Sequence, residues 1–327
     1  MGRLVTAIGR QRELSLVLVM VVLGGFVATQ APQFLSASNL KQVAVLAAII
    51  AIAAVGEALV VITRNVDLSV ESTIGLVAFV VANVLRIHAL SAPAAVAFGI
   101  GLGLLLGIIN GAIVTVLRVP AIVATLGTLS IYRGVDFLLA GGHQVTVGDL
   151  PDGYTDWATA TVLGVPDFVW LAAIVVVVTG IGLHQTRFGR QVYAVGSNPD
   201  AAAVAGLRNR VVVFTVFALC GLLAGVAGVL WGIEFGSINA TAANGVVLQV
   251  VAAVVVGGVA IFGGSGSVVG AALGAVFLGF ISNALTLLNL SQFWLEAIYG
   301  AVILAAVAAD AVIVRRIQAS LAEQRAR

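Results

Sequence analysis

Long apolar runs, broken by glycine, proline and isolated charge, dominate the chain. Charge-free stretches extend from Leu14 to Leu40, Ile87 to Leu117, Val211 to Ile233 and Phe235 to Leu295. A helix needs about 20 apolar residues to cross the hydrocarbon core, so the last stretch must hold more than one crossing. In lipid the backbone must satisfy its own polar groups, which leaves helices or a closed barrel, and no sustained in-out alternation of strand length occurs. With proline, glycine and charge as punctuation, the early spans fall near Leu14–Ala31, Val43–Ile62, Val70–Leu85, Ala92–Leu117 and Ile122–Ala140. The later ones fall near Phe168–His184, Val211–Gly232, Val246–Ala260, Val268–Leu288 and Phe293–Val314. The expectation is an all-α, polytopic membrane protein of about ten transmembrane helices, one domain over residues 1–327.

Composition agrees, because 61% hydrophobic and 9% charged residues exclude a soluble domain. An even number of spans puts both termini on one side, and the basic residues choose which. With the N-terminus cytoplasmic, the inner segments collect Arg3, Arg10, Arg12, Arg64, Arg118, Arg187, Arg190, Arg208, Arg210, Arg315, Arg316, Arg325 and Arg327. Only Lys41 and Arg86 fall outside, and Arg133 stays within the membrane. The connection 141–167 carries Asp149, Asp152, Asp156 and Asp167 without Lys or Arg, as an exported periplasmic loop should. Basic residues spread along membrane flanks give no patch for nucleic acid. The arginines before the first apolar run resemble a signal peptide, but the run exceeds the usual length and reads as an uncleaved span. Cys220, alone in an apolar run, reads as a small core residue.

Two glycine stripes stand out: Gly99, Gly103, Gly107 and Gly111 on one helix, and Gly266, Gly270 and Gly274 on another. Four-residue spacing lets helix backbones approach closely, which points to packing rather than to substrate. Charge inside a membrane marks a functional hypothesis, and the segment 63–71 places Arg64, Asp67 and Glu71 between apolar spans. If helical, it would put Arg64 one turn from Asp67 and Asp67 one turn from Glu71; the competing reading is an interhelical loop with solvated charges. Arg133 and Asp136 share the same one-turn spacing. Gly263 to Ser267 look like a phosphate cradle, yet Val268 and Val269 stand where a P-loop demands Lys and Ser or Thr, so the glycines read as a helix break. His88, His143 and His184 lack any ligand spacing, so no metal site is expected. No catalytic elbow or acid pair suited to hydrolysis appears, so the chain does not read as an enzyme.

The connection 185–210 is the most informative polar stretch. Asn198 suits an N-cap, Pro199 the first helical position and Asp200 the positive end of the dipole, while Gly206 can terminate the helix. Ala201, Ala202 and Val204 would give this short helix an apolar surface fit for a partner's groove, or for the bilayer surface.

Four segments, in order, resemble the permeases of bacterial ATP-driven sugar importers of the ribose, galactose and xylose type. They are Thr63–Val70 (TRNVDLSV), Asn110–Gly134, Phe188–Gly206 and Gly257–Gly270. The first, with VPAIVATLGTLS from the second and the FGGSGS turn, is most similar to the branch that imports rhamnose or autoinducer-2. One departure is Glu71, where that family usually has glycine. The resemblance implies a multi-pass protein of the bacterial cytoplasmic membrane that works with a second permease copy or sister permease. It also implies a cytoplasmic ATPase of two fused cassettes binding ATP and Mg, and a periplasmic or lipid-anchored sugar-binding protein. Asn198, Pro199, Asp200, Ala201, Ala202 and Gly206 then correspond to the coupling helix that docks on the ATPase. Candidates for the sugar path are Asp67, Ser69, Asn110, Thr125, Thr128, Tyr132, Asn239, Asn244 and Gln249, each equally readable as an interhelical hydrogen bond. The competing function is an ion-coupled transporter in which Asp67 and Glu71 carry protons or sodium.

Overall fold

The computed structural model describes residues 2–291, 293–305 and 307–308, with side chains from residue 13 onward. Among these residues the chain forms α1 (Gly2–Gln30), α2 (Ala37–Ile62), α3 (Val70–Arg86), α4 (Ala92–Thr115), α5 (Ala121–Ala140) and α6 (Asp167–Gln185). There follow α7 (Arg187–Ser197), α8 (Pro199–Val204), α9 (Asn209–Phe235), α10 (Val246–Val256), α11 (Val268–Leu287) and α12 (Phe293–Ala305). Each of the ten expected spans coincides with one helix, while α7 and α8 occupy the polar connection. Seven helices are long and apolar enough to cross a membrane. The tail of the tenth expected span, residues 309–314, lies outside the described residues, as do Arg315, Arg316, Arg325 and Arg327.

Helix α2 is the axis of the bundle. Every residue from Ala47 to Ile62 is buried, because a helix apolar on all sides can be covered on all sides. It packs on α9, α11 and α6, and α9 in turn makes its most extensive contact with α4. That α4–α9 seam is built by the expected glycine stripe. A Cβ at Gly103 would stand 2.5 Å from the Gly225 Cα, and one at Gly107 2.5 Å from the Phe217 carbonyl oxygen. A second close seam joins α10 to α11, where Gly257 meets Gly270 and Gly274 meets the Ala253 carbonyl.

The chain breaks between the second and third spans, and one expected span is shorter than expected. The stretch 63–69 is not helical, so Arg64, Asp67 and Glu71 are not stacked on successive turns. Helix α10 has 11 residues, about 16 Å at 1.5 Å per residue, and stops at Val256 rather than Ala260. The rest of that crossing is irregular chain, 236–245 before it and 257–267 after it. Gly258, Gly263, Gly264 and Gly266 all have positive φ, which ends the helix. Non-helical backbone at membrane depth must be paired, and here the Gly264 N–H donates to the Ile62 carbonyl at 2.9 Å and the Ala260 N–H to Ser265 at 3.0 Å.

One end of the bundle carries α7 and α8. The other carries 141–166, a loop of short 3-10 turns and a two-residue hairpin, tied to the end of α9 by a bridge between Val145 and Ile238.

Candidate functional site

The break between α2 and α3 is the polar centre of the molecule. Asp67 Oδ1 accepts hydrogen bonds from the Ser69 N–H at 3.0 Å and the Ser69 hydroxyl at 2.7 Å. From α4, Asn110 Nδ2 donates to the Ser69 Oγ at 2.7 Å and lies 3.2 Å from Asp67 Oδ2. From α5, the Tyr132 hydroxyl lies 3.2 Å from Asn110 Oδ1 and 3.1 Å from the Leu106 carbonyl. Thr125 donates to the Ala121 carbonyl with Val66 O at 3.3 Å, and Thr128 donates to Thr125. Six of the nine candidate path residues therefore form one buried network that fastens α3, α4 and α5 around the break. In this conformation they join helices instead of facing an open passage. The stretch 63–69 is a loop, but its charges are not simply solvated: Arg64 is exposed, whereas Asp67 and Glu71 are buried.

The network has a member that the sequence reading passed over. Glu57, fully buried in α2, accepts the Asp67 N–H at 3.0 Å through Oε1, and the Cys220 thiol approaches its Oε2 at 3.8 Å. Cys220 is thus a neighbour of this carboxylate as well as a core residue. The available signal was a single carboxylate deep in an apolar span, which is itself a marker of function. Cys220 lies 11 residues from the start of α9 and 15 from its end, so the cluster sits near mid-height of the bundle.

Glu71, in the first turn of α3, does something different. Its Oε2 accepts the Gly245 N–H at 3.0 Å and approaches the Val247 N–H at 3.4 Å, so it caps the N-terminus of α10 in mid-bundle. Arg133 of α5 completes the joint. Its guanidinium donates to the Ala240 and Ala242 carbonyls at 3.0 and 2.8 Å and lies 3.8 Å from Glu71 and 3.9 Å from Asp136. The charge-assisted hydrogen bonds to the two carbonyls, beside the longer ion pair with Glu71, hold the irregular 236–245 segment against α3 and α5. Glu71 thus helps to start a broken helix. Asn239 and Asn244 lie exposed on this segment, and Asn239 closes a local turn onto Thr241. Gln249 is half-buried in α10, apart from the central network.

Arg64 reaches away from Asp67. Its Nε donates to the Gly196 carbonyl and its terminal nitrogen to Ser197 at 2.6 Å, so a cation caps the C-terminus of α7. Gly196 sits so close to Ile62 that a Cβ would collide with its carbonyl, and Tyr193 donates to Gly266 at 2.8 Å. Helix α7, the end of α2 and the 257–267 turn are thereby locked together. Beyond α7, Asn198 Oδ1 accepts the Ala201 N–H at 3.0 Å, Pro199 opens α8, and Gly206 follows its end with φ +83°. Ala202 is buried, Asp200 and Ala201 are exposed, and Val204 is 91% exposed at the tip.

An all-α bundle with seven helices long and apolar enough to cross a membrane among the described residues, polar groups buried where the chain breaks and a capped helix projecting from one end fits a multi-pass membrane permease. The chain belongs to the family described as "Branched-chain amino acid transport system / permease component", which matches residues 39–307. It is 37% identical over 295 residues to the ribose import permease protein RbsC of Escherichia coli (strain K12), covering 90% of this chain and 92% of that protein. It is 36% identical over 318 residues to the autoinducer 2 import system permease protein LsrC of Salmonella typhi, covering 97% and 91%. The LsrC of Shigella flexneri is 38% identical over 306 residues, covering 93% and 88%. The family resemblance carried by the motifs is borne out. No solved structure matches the chain.

Proposed function

We propose that this chain is the transmembrane permease subunit of an ATP-binding-cassette importer in a bacterial cytoplasmic membrane, forming the path for a monosaccharide or sugar-like solute. A periplasmic binding protein delivers the solute. A separate ATPase of two fused cassettes binds ATP and Mg, and a second permease, identical or sister, completes the path. Both termini and α7–α8 lie on the cytoplasmic side, and 141–166 faces the periplasm. Besides the ribose and autoinducer-2 relatives, one observation carries the mechanism. Seven residues, 63–69, hold both the end of α7 through Arg64 and the central network through Asp67. A push on α8 from a closing ATPase has a short, hydrogen-bonded route to the polar centre. The exposed Val204 supplies an apolar knob for the ATPase groove. Ion coupling through Asp67 and Glu71 is disfavoured, because both carboxylates are already engaged in holding helices.

The test is uptake into proteoliposomes. Uptake that requires ATP, the ATPase and the binding protein supports the reading, and Asn198→Ala or Val204→Asp should weaken ATPase co-purification. Sugar uptake by the purified permease alone, abolished by Asp67→Asn, would establish the ion-coupled transporter instead.

A further inference from the structure

A cavity of about 470 Å³ lies between α2, α9, α10 and α11, apart from the central network. Its mouth is at the end opposite α8, beside Gln42 near the start of α2 and Phe235 at the end of α9. Its floor, formed by Gln249, Ile50 and Gly279, is deeper in the bundle. Trp231 and Phe235 form one wall, their ring centroids 4.6 Å apart. Gln42, Gln249, Ser282 and Asn283 supply polar groups, and no charged residue lines the space.

This lining has the chemistry that a neutral polyol requires. A sugar hydroxyl both donates and accepts, as does an amide, whereas a carboxylate or ammonium offers one sense only. The C–H face of a sugar ring matches an apolar aromatic surface whose polar edge remains available. Asn283 is already oriented: its amide exchanges two hydrogen bonds with Asn39, at 2.9 and 2.8 Å. One N–H and one oxygen lone pair of Asn283 remain for a ligand. Gln42 and Gln249 make no hydrogen bond to another described residue, so both amides are free to turn to an entering solute. The volume falls within the range of about 300–1,000 Å³ of small-molecule sites.

From this geometry we infer that each permease carries its own weak, outward-facing subsite for a neutral monosaccharide, formed by Trp231, Gln42, Gln249, Ser282 and Asn283. The inference rests on the sugar-import reading above and adds a holding point within one subunit. A sugar released by the binding protein would pause there before the path opens. Exposed amides and one aromatic wall give modest affinity, which suits transit.

The experiment uses the complete importer in proteoliposomes. D-Ribose, D-galactose, D-xylose and L-rhamnose are first screened for ATP-dependent uptake. Ser282→Cys is then labelled with a membrane-impermeant thiol reagent; native Cys220 is buried and contributes little background. The transported sugar should slow labelling by one plus its concentration over Kd, about tenfold at roughly ten times Kd. A sugar from the panel that is not transported should have no effect. Gln249→Leu should abolish protection, and Gln42→Ala, at the exposed mouth, should weaken it if the leucine variant fails to assemble. Uptake without any protection of Ser282→Cys overturns the subsite and leaves the import reading intact. Absence of ATP-dependent uptake for every sugar of the panel overturns the neutral-monosaccharide subsite.

Discussion

Gly107→Ala tests whether the α4–α9 seam sets the geometry of the polar centre. The new Cβ would lie 2.5 Å from the Phe217 carbonyl oxygen and 2.8 Å from the Gly221 Cα, where ordinary contact begins at 3.4 Å. Both neighbours are backbone, so no side chain can swing aside, and the helices must part by about 0.9 Å, the shortfall against ordinary contact. Overpacking of this kind costs about 1–3 kcal/mol. Asn110 rides on the same helix three residues on, and its 2.7 Å bond to Ser69 would stretch beyond hydrogen-bond range. That loss adds about 1 kcal/mol, roughly offset by alanine's better helix propensity. The control is Gly101→Ala on the same helix, where nothing lies within 4 Å of the new methyl. Thermal unfolding in detergent should show Gly107→Ala melting well below wild type and Gly101→Ala at or above it, with ATP-driven uptake falling only in the former. Equal melting and equal uptake for the two variants would refute the reasoning.

Three further outcomes follow from the site. Arg64→Ala removes the cap of α7 and should leave the importer hydrolysing ATP while transporting less sugar per ATP, with Arg64→Lys a poor substitute because one ammonium cannot span both carbonyls; an unchanged ratio of sugar to ATP would count against the tether. A double-mutant cycle of Glu71→Gln and Arg133→Met, read by thermal or denaturant unfolding, should give a coupling of about 0.5–3 kcal/mol, and strict additivity would mean that the pair does not hold α10 in place. In the loop 141–166, hydrogen bonds from the Thr146 N–H and hydroxyl hold the Asp149 carboxyl below the usual carboxylate range. Because the folded loop favours the ionised form, the stabilisation is present above about pH 4 and lost as pH falls through the lowered value. Exchange protection of the Thr146 amide, corrected for intrinsic rates, should follow that course and be absent at every pH in Asp149→Ala, which removes the acceptor.

The sequence by itself determined whatever depends on neighbours along the chain. The apolar helices follow from runs of apolar residues, and α8 from Asn198, Pro199 and Gly206, whose capping bonds close within a few residues. The Gly99–Gly111 stripe announced a close helix contact, because one residue type repeated on one face. What it could not announce was the partner: that Gly107 meets Gly221, or that Gly257 meets Gly270. The polar centre was legible only as a set of suspects. Asp67, Ser69, Asn110 and Tyr132 were singled out, but the bond between Asn110 and Asp67 spans 43 residues, that between Cys220 and Glu57 spans 163, and that between Glu71 and Gly245 spans 174. Helical spacing makes no statement at those separations. Only the tertiary structure decided that Arg64 turns to α7 rather than Asp67, that Glu71 starts a half-helix, and that Gln249 faces a cavity instead of the network. The physical reason is the low dielectric of the bundle: a buried polar group must find a partner wherever packing brings one, and packing is a property of the whole fold.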